Sequence, residues 1–433
     1  KVAPSSVFAK GKNLSTSPVT RLRSPFPQIE ICVVRCGGSI LCDNMATAKV
    51  SSKSKKAKDV LLYASPNNSS DMRWFTKFSC GDPFIAFTAK GKKIAVITVL
   101  EIVRFREQSG FDVVLDLGEE LAKLREKEPS ANTPELIAHF AKRYKISSWS
   151  VPADFPAGLF VKLHQLGVKL SVGATPFFPQ RVIKTEEELE MIRAGNRASC
   201  AGFKAVEKIL KESKIDKKGF VNYQGKTLTS EILRAAIEHA CLDAGGINVE
   251  GLIAAGGDQG VDCHCSGYGP IRANELIVCD IFPRIAATGY FGDMTRTYLK
   301  GKATPEQRKL VETVKKAHDK AIAAVRAGVP GYDIYKGTVD FFAEAGYKTG
   351  KVDGTPTGFF HGLGHGVGLD VHEAPNLGGR SVMTDPLKEN MVVTIEPGLY
   401  YPGIGGCRIE DVVVVRKDGC ELLSKHPYKW EIA

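Results

Sequence analysis

The sequence predicts an α+β protein in which a pseudo-symmetric domain over about 181–433 follows a smaller α/β domain over about 59–180. Three observations carry this. The 433 residues suffice for two or three domains at roughly 100–200 residues each. Between residues 59 and 178, short apolar runs alternate with helical patterns, the mark of an α/β unit. Beyond residue 181 a helix pair followed by a hairpin occurs twice.

The first 58 residues stand apart. They hold 11 Lys/Arg against Glu30 and Asp43, a net charge of +9, whereas the other 375 residues carry 48 basic and 46 acidic groups, a net +2. The overall +11 is therefore a property of a solvated basic, Ser-rich tail, and no nucleic-acid partner is expected for the folded region. The tail has the composition of an organellar transit peptide. Met45-Ala46-Thr47-Ala48 also looks like a translation start, which would leave residues 1–44 outside the mature protein. The expected location is cytoplasmic, or plastid or mitochondrial if the tail is a transit peptide. Hydrophobic residues make up 43% and charged residues 25%, which excludes collagen, a disulfide miniprotein and a wholly disordered chain. No stretch reaches the ~18 consecutive apolar residues of a membrane span. Eleven cysteines without a CxxC pair suit a reducing compartment.

In the first domain the runs Val60–Tyr63, Phe84–Phe87 and Ile94–Leu100 predict strands, with Gly91-Lys92-Lys93 as the turn between the last two. Thr133-Pro134-Glu135 predicts a helix capped by Thr133. Pro176, Pro179 and the charged run after Lys184 mark the end of this unit.

In the second, Thr185-Glu186-Glu187-Glu188 is a capping box that opens a helix to about Leu210. A helix near 227–244 and strands Leu276–Phe282 and Gly289–Tyr298 follow. Thr304-Pro305-Glu306-Gln307 opens the repeat, with Leu310, Val311, Val314, Ala317, Ala321, Ile322 and Val325 as a helical apolar stripe ended by Gly328. A helix near 332–345 and strands Met391–Tyr400 and Cys407–Val415 close it, both hairpins being expected in one sheet. The stretch Gly219–Thr227 has one spacer too many for a P-loop and follows a charged helix end rather than a strand.

Each hairpin sets acids among apolar residues. Asp280 and Asp293 are 13 apart, Glu396 and Glu410 are 14 apart. A single acid in an apolar strand is ordinarily a satisfied structural residue. Four in two equivalent hairpins are costly to bury unless paired or bound to a cation. Between the hairpins run His361, His365 and His372, three imidazoles in twelve residues amid glycines that disfavour a helix. One imidazole plus four carboxylates is a mostly hard oxygen set, suited to two Mn²⁺ or similar ions rather than one structural zinc.

The segment from about 181 to 425 resembles the pita-bread metallopeptidases: aminopeptidase P, prolidase, methionine aminopeptidase and creatinase. The matching pieces are Gly292-Asp293-Met294-Thr295-Arg296-Thr297, the His361–His372 run, Ile395-Glu396-Pro397-Gly398 and Arg408-Ile409-Glu410-Asp411. Residues 59–180 look like the creatinase-type N-terminal domain. The resemblance implies two divalent ions, Mn before Co or Zn. Asp280 would chelate one of them, Asp293 and Glu410 would bridge both, and His365 and Glu396 would complete the other. It implies hydrolysis of the bond before proline through a bridging hydroxide, with Glu396 as proton acceptor, His372 as donor to the oxyanion and His264 near the leaving nitrogen. His361 and Arg408 are expected to shape the pocket and orient ligands.

Within the resemblance, Arg408-Ile409-Glu410-Asp411 and the N-terminal domain favour Xaa-Pro over methionine specificity. Xaa-Pro aminopeptidase activity on proline-containing peptides is expected, with prolidase or methionine aminopeptidase-like activity as alternatives, and the choice between aminopeptidase and prolidase depends on whether the site is capped beyond the second residue. A homodimer is expected. The non-enzyme alternative is a binding module of the same fold, and metal content separates the two. Asp411 is expected to be structural, as are Cys279 and Cys407. The loop after Asp280 departs from the common pattern, reading Ile281-Phe282-Pro283-Arg284 and about two residues longer.

Overall fold

The structure, a computed structural model, describes residues 59–379 and 385–433. The tail and its targeting reading lie outside the described residues.

In the N-terminal part, Leu61–Ala64, Phe84–Ala89 and Lys92–Ile97 pair antiparallel, and Val113–Asp116 adds in parallel. Strand alternation divides the core. Leu61, Ile85, Phe87, Ile94 and Val96 pack with the helix Thr133–Arg143 and Trp149, while Leu62, Phe84, Ala86 and Ala95 pack with Met72, Phe75 and Phe105. The hairpin turns on Lys90-Gly91, at φ 52° and 80°, one residue earlier than expected. Two left-handed residues give the turn whose twist matches the strands, so Lys92 and Lys93 join the strand. Thr133 is not the cap of its helix. Asn132 is, with the Glu135 carboxylate accepting from the Asn132 N–H at 3.0 Å, because the third helical position must lie three residues after the cap.

Both expected capping boxes form. Thr185 with Glu188 opens the helix Glu186–Glu212, and Thr304 with Gln307 opens Pro305–Ala324. The partner helices are Ser230–Asp243 and Gly331–Glu344. Ile277, Cys279 and Ile281 of the first hairpin face the first helix pair. Val393, Ile395, Val413 and Val415 of the second face the helix Pro305–Ala324. Helices thus cover the outer faces and leave the acid-bearing faces of the two hairpins toward each other. Residues 219–227 belong to short antiparallel strands, Val221–Tyr223 with Lys226–Thr227, not to a phosphate loop.

The strands differ from expectation at the functional residues. The second strand of the first hairpin is Met294–Lys300 and begins after Asp293, because Gly292 is used in a backbone contact with the helix. A Cβ on Gly195 would lie 2.2 Å from Gly292 N, so neither position has room for a side chain. The second hairpin is broken on both sides, into Val392–Ile395 with Asp411–Val415 and Gly398–Tyr401 with Gly405–Arg408. Pro397 has no N–H to donate, and the Glu410 N–H turns away to Thr295 O at 3.1 Å. The two hairpins do not form one sheet. They meet through that bond and through Thr297 Oγ1, which donates to Arg408 O at 2.9 Å and accepts from Arg408 N at 3.1 Å. A hydroxyl takes the place of a continuous backbone ladder.

Candidate metal centre

Asp293, Glu396 and Glu410 stand where a strand begins, ends or breaks, and Asp280 lies within one. Asp280 lies on the face of Leu276–Ile281 opposite the core residues Cys279 and Ile281. Asp293 precedes its strand, and its N–H donates to Asn196 Oδ1 at 2.9 Å. Glu396 follows Ile395 directly, with its N–H on Leu363 O at 2.8 Å. Glu410 fills the gap between Arg408 and Asp411, and its Oε2 accepts from Thr295 Oγ1 at 2.8 Å. His365 is the middle of the three-residue strand Gly364–Gly366. Its glycine neighbours are obligatory: a Cβ on Gly364 would fall 1.9 Å from Thr394 O, and one on Gly366 2.3 Å from Ala374 O. Only a bare backbone lets the imidazole enter between two adjoining strands.

The side chains converge. His365 Nε2 lies 3.7 Å from Asp293 Oδ2 and 3.6 Å from Glu396 Oε1. Donor atoms of Asp293, His365 and Glu410 all lie within 4.8 Å of one another, and all three residues are buried. Burial raises the carboxyls of Asp293, Glu396 and Glu410 well above the usual range, neighbouring acids add to the shift, and Arg408 opposes it. Burial, then the neighbouring His372, lowers His365 to about 4, so its imidazole is neutral with a lone pair to offer.

Arg408 is the positive counterpart. Its Nη2 donates to Asp280 Oδ2 at 2.7 Å, Nε to Thr295 Oγ1 at 3.2 Å and Nη1 to Tyr400 Oη at 2.9 Å. His361 Nε2 meets the same Tyr400 hydroxyl at 2.9 Å, and burial, then Arg408, lowers its pKa to about 3. The His365 and His372 rings are 4.3 Å apart between centroids. Asp280, Asp293, His365, Glu396, Glu410, His264, His361, His372 and Arg408 all line one cavity of about 540 Å³, so every site residue expected from the sequence is brought to it. His264 and His372 are exposed at its mouth.

Several residues at the site had escaped the sequence reading. Tyr400 and Asn196 act from one residue away, and a Tyr in an apolar strand or an Asn in a long helix carries no signal by itself. The loop carrying His372 is clamped from below. Arg181 Nη2 reaches Asp370 Oδ2 and Glu373 Oε2, both at 2.7 Å, its Nη1 reaches Asp71 Oδ1 at 2.8 Å, and Lys184 pairs with Glu373. The long loop after Asp280 is gripped by the N-terminal part. Arg73 donates to Thr288 O and Ala287 O, each at 3.0 Å, and Arg284 donates to Asn67 O at 3.2 Å.

The donor set fits hard divalent cations. Buried carboxylates and a neutral imidazole crowd together, and Asp280 Oδ1 is buried with no hydrogen-bond partner although Arg408 holds its other oxygen. A pocket of this kind within this fold is a candidate metal centre. The chain belongs to metallopeptidase family M24, whose model matches residues 190–417. It is 31% identical over 248 residues to the Xaa-Pro dipeptidase of Pyrococcus furiosus, covering 57% of this chain and 64% of that protein. It is 32% identical over 249 residues to the Xaa-Pro dipeptidase of Pyrococcus horikoshii, covering 57% and 63%. The chain thus spans less than two thirds of the length of these curated relatives. Among solved structures it is similar to an X-Pro aminopeptidase from Thermotoga maritima, with TM-score 0.70 and 23% identity over 87% of this chain and 97% of that one. That likeness is one of fold, the pita-bread fold with its preceding domain. Among the described residues no helix is long and apolar enough to cross a membrane.

Proposed function

We infer that the protein is a metal-dependent exopeptidase cleaving the bond before proline, of Xaa-Pro aminopeptidase type. In this reading residues 59–180 are the creatinase-type domain and 181–433 the catalytic one. The observation that carries it is the convergence of Asp293, His365 and Glu410 within 4.8 Å, in a cavity also lined by Asp280 and Glu396. These five side chains would hold two divalent ions, manganese before cobalt or zinc because four of the five donors are carboxylates. When bound, the ions would supply Lewis acidity toward water and the scissile carbonyl.

The chain's own groups do the rest. Glu396 takes the proton of the attacking water, a task suited to a carboxyl whose proton affinity is raised by burial. His372 donates to the oxygen of the scissile carbonyl as charge develops there. His264, at the mouth, stands by the leaving nitrogen. Arg408 orients Asp280, and with His361 and Tyr400 it fixes the wall of the pocket. The scissile bond's nitrogen is proline's own ring nitrogen and bears no hydrogen in the peptide, so the ring is recognised by shape.

Substrate length divides the two peptidase readings. A second cavity of about 900 Å³ shares His372 and Asn376 with the first, and this continuity favours peptides longer than two residues. The names of the 31% and 32% identical relatives favour the dipeptidase reading. Exposed Val99, Leu100 and Val103 form an apolar surface consistent with a homodimer, which sedimentation would test.

The deciding assay offers the Mn²⁺-loaded chain Xaa-Pro dipeptides, longer Xaa-Pro peptides and Met-Ala peptides, with a chelator control. Cleavage of the longer Xaa-Pro peptides, abolished by chelation, is the expected result. Cleavage of dipeptides alone would make it a prolidase, and of Met-Ala alone a methionine aminopeptidase. No turnover together with no bound metal by elemental analysis would leave a binding module.

A further inference from the structure

The lining of the metal centre's cavity is not all polar. Ile253, Phe282 and Val371 also contribute to it. Their placement follows from the strands. Ile253 opens the strand Ile253–Gly256 and pairs directly opposite Asp280, and Phe282 follows Asp280 by two residues. Cross-strand neighbours and residues two apart share a face, so an isoleucine and a phenylalanine flank the carboxylate. Val371 is buried in a cluster with Tyr290 and Phe291, and half-buried Phe282 packs against that cluster.

Phe282 opens the loop in which this chain departs from the common pattern, and the loop holds it in place. Pro283 O accepts from the Gly292 N–H at 3.0 Å, and the Ile285 N–H donates to Tyr290 O at 2.9 Å. Arg73 grips the far end through Thr288 O and Ala287 O. Gly289, at φ 83°, lets the guanidinium come so close that a Cβ there would lie 2.4 Å from Arg73 Nε. A wall pinned from both sides excludes a large side chain rather than moving aside for it.

The second cavity indicates which part of a peptide meets this wall. It shares His372 and Asn376 with the first cavity but is lined by none of Ile253, Phe282 and Val371. Residues after the scissile bond continue toward the second cavity. The residue before the bond is left with the apolar wall. We propose, resting on the Xaa-Pro peptidase reading, that Phe282 is a specificity-determining residue that bounds the pocket for the first residue of the peptide. It admits small and aliphatic side chains and excludes aromatic ones.

The test compares the metal-loaded full chain with its Phe282→Ala and milder Phe282→Leu variants. The substrates are Ala-Pro, Leu-Pro and Phe-Pro, each as the dipeptide and extended by glycine. Ratios of kcat/KM measured on one sample cancel any loss of folded or metal-loaded protein. The parent should prefer Ala-Pro and Leu-Pro to Phe-Pro. The ratio of Phe-Pro to Ala-Pro should rise about tenfold or more in Phe282→Ala and by less in Phe282→Leu, the size of effect that a few apolar atoms have in such a pocket. A parent that takes Phe-Pro as readily as Ala-Pro overturns the proposal. So does a ratio within twofold of the parent's in both variants, with the peptidase reading left standing. A shifted preference between Ala-Pro-Gly and Ala-Pro-Phe with an unshifted first-residue ratio also overturns it, because Phe282 would then face the leaving side. A parent that cleaves none of these peptides fails the peptidase reading, and the proposal falls with it.

Discussion

Arg408 Nη2 stands 2.7 Å from Asp280 Oδ2 at the wall of the cavity, while the other Asp280 oxygen is buried and unpaired. Guanidinium and carboxylate are on neighbouring hairpins, so this pair ties the two hairpins together at the cavity wall. It leaves one carboxylate oxygen oriented and available. The same guanidinium reaches Tyr400 and Thr295, so three directions are fixed at once.

Arg408→Lys should therefore be far from conservative. An ammonium cannot reproduce three divergent hydrogen bonds. The expected loss is about 10–100-fold in kcat/KM or in metal affinity, with an unchanged far-UV circular dichroism spectrum. Kinetics within twofold of the parent would show that orientation of Asp280 is not what Arg408 provides.

Asp293→Asn removes the charge from a buried donor while keeping its size. Activity and metal loading should fall together, read by assay and by elemental analysis of the same sample. Retained turnover would refute the assignment of Asp293 as a metal ligand.

Arg181→Met leaves Asp71 without its buried cation and Glu373 with Lys184 alone. Breaking such a pair by removing one partner costs about 3–5 kcal/mol, measurable as a lowered midpoint in urea. Because Asp370 and Glu373 bracket His372, turnover should also drop under conditions where the variant is fully folded. A stability change under 1 kcal/mol would mean the network is replaced by solvent.

Asp411 points away from the metal centre, into Arg296 at 2.8 Å, Ser424 Oγ at 2.6 Å and His318 at 3.2 Å. Burial opposes its ionisation, yet Arg296 and His318 hold it down to about 2, below the model-peptide 3.8. A depressed carboxyl contributes stability that is present above the unfolded value and lost as pH falls through the folded one. The contribution is about 2 kcal/mol, disappearing between roughly pH 4 and pH 2. The stability gap between the parent and Asp411→Asn should accordingly be narrower at low pH than at pH 7. An equal gap at both would disprove the linkage.

Cys279 and Cys407 are buried in the two helix-facing cores, and burial pushes the Cys407 thiol up to about 12 and Cys279 higher still. Cys263 is half-buried at the cavity wall, and burial raises it too. Peroxide should change turnover of the parent no more than that of a variant with Ser at 263, 265, 279 and 407. A clear difference would mark a redox-sensitive thiol.

The repeated helix pair and hairpin were legible because periodicity and capping are local: Thr185 with Glu188 and Thr304 with Gln307 specify helix starts within four residues. The residues that line the candidate site were legible because acids in apolar strands and imidazoles among glycines contradict their surroundings. Such contradictions are visible in one dimension. The breaks at Glu396-Pro397 and Ile409-Glu410 were not, because they arise when the Glu410 N–H bonds to Thr295 on the other hairpin. Arg181, Asn196 and Tyr400 were not legible either, since each acts across the fold, and Arg181 and Asp370 are 189 positions apart. The sequence by itself determined which groups are chemically out of place. The tertiary structure alone decided which of them meet, because burial and distance, unlike identity and spacing, belong to the packed chain.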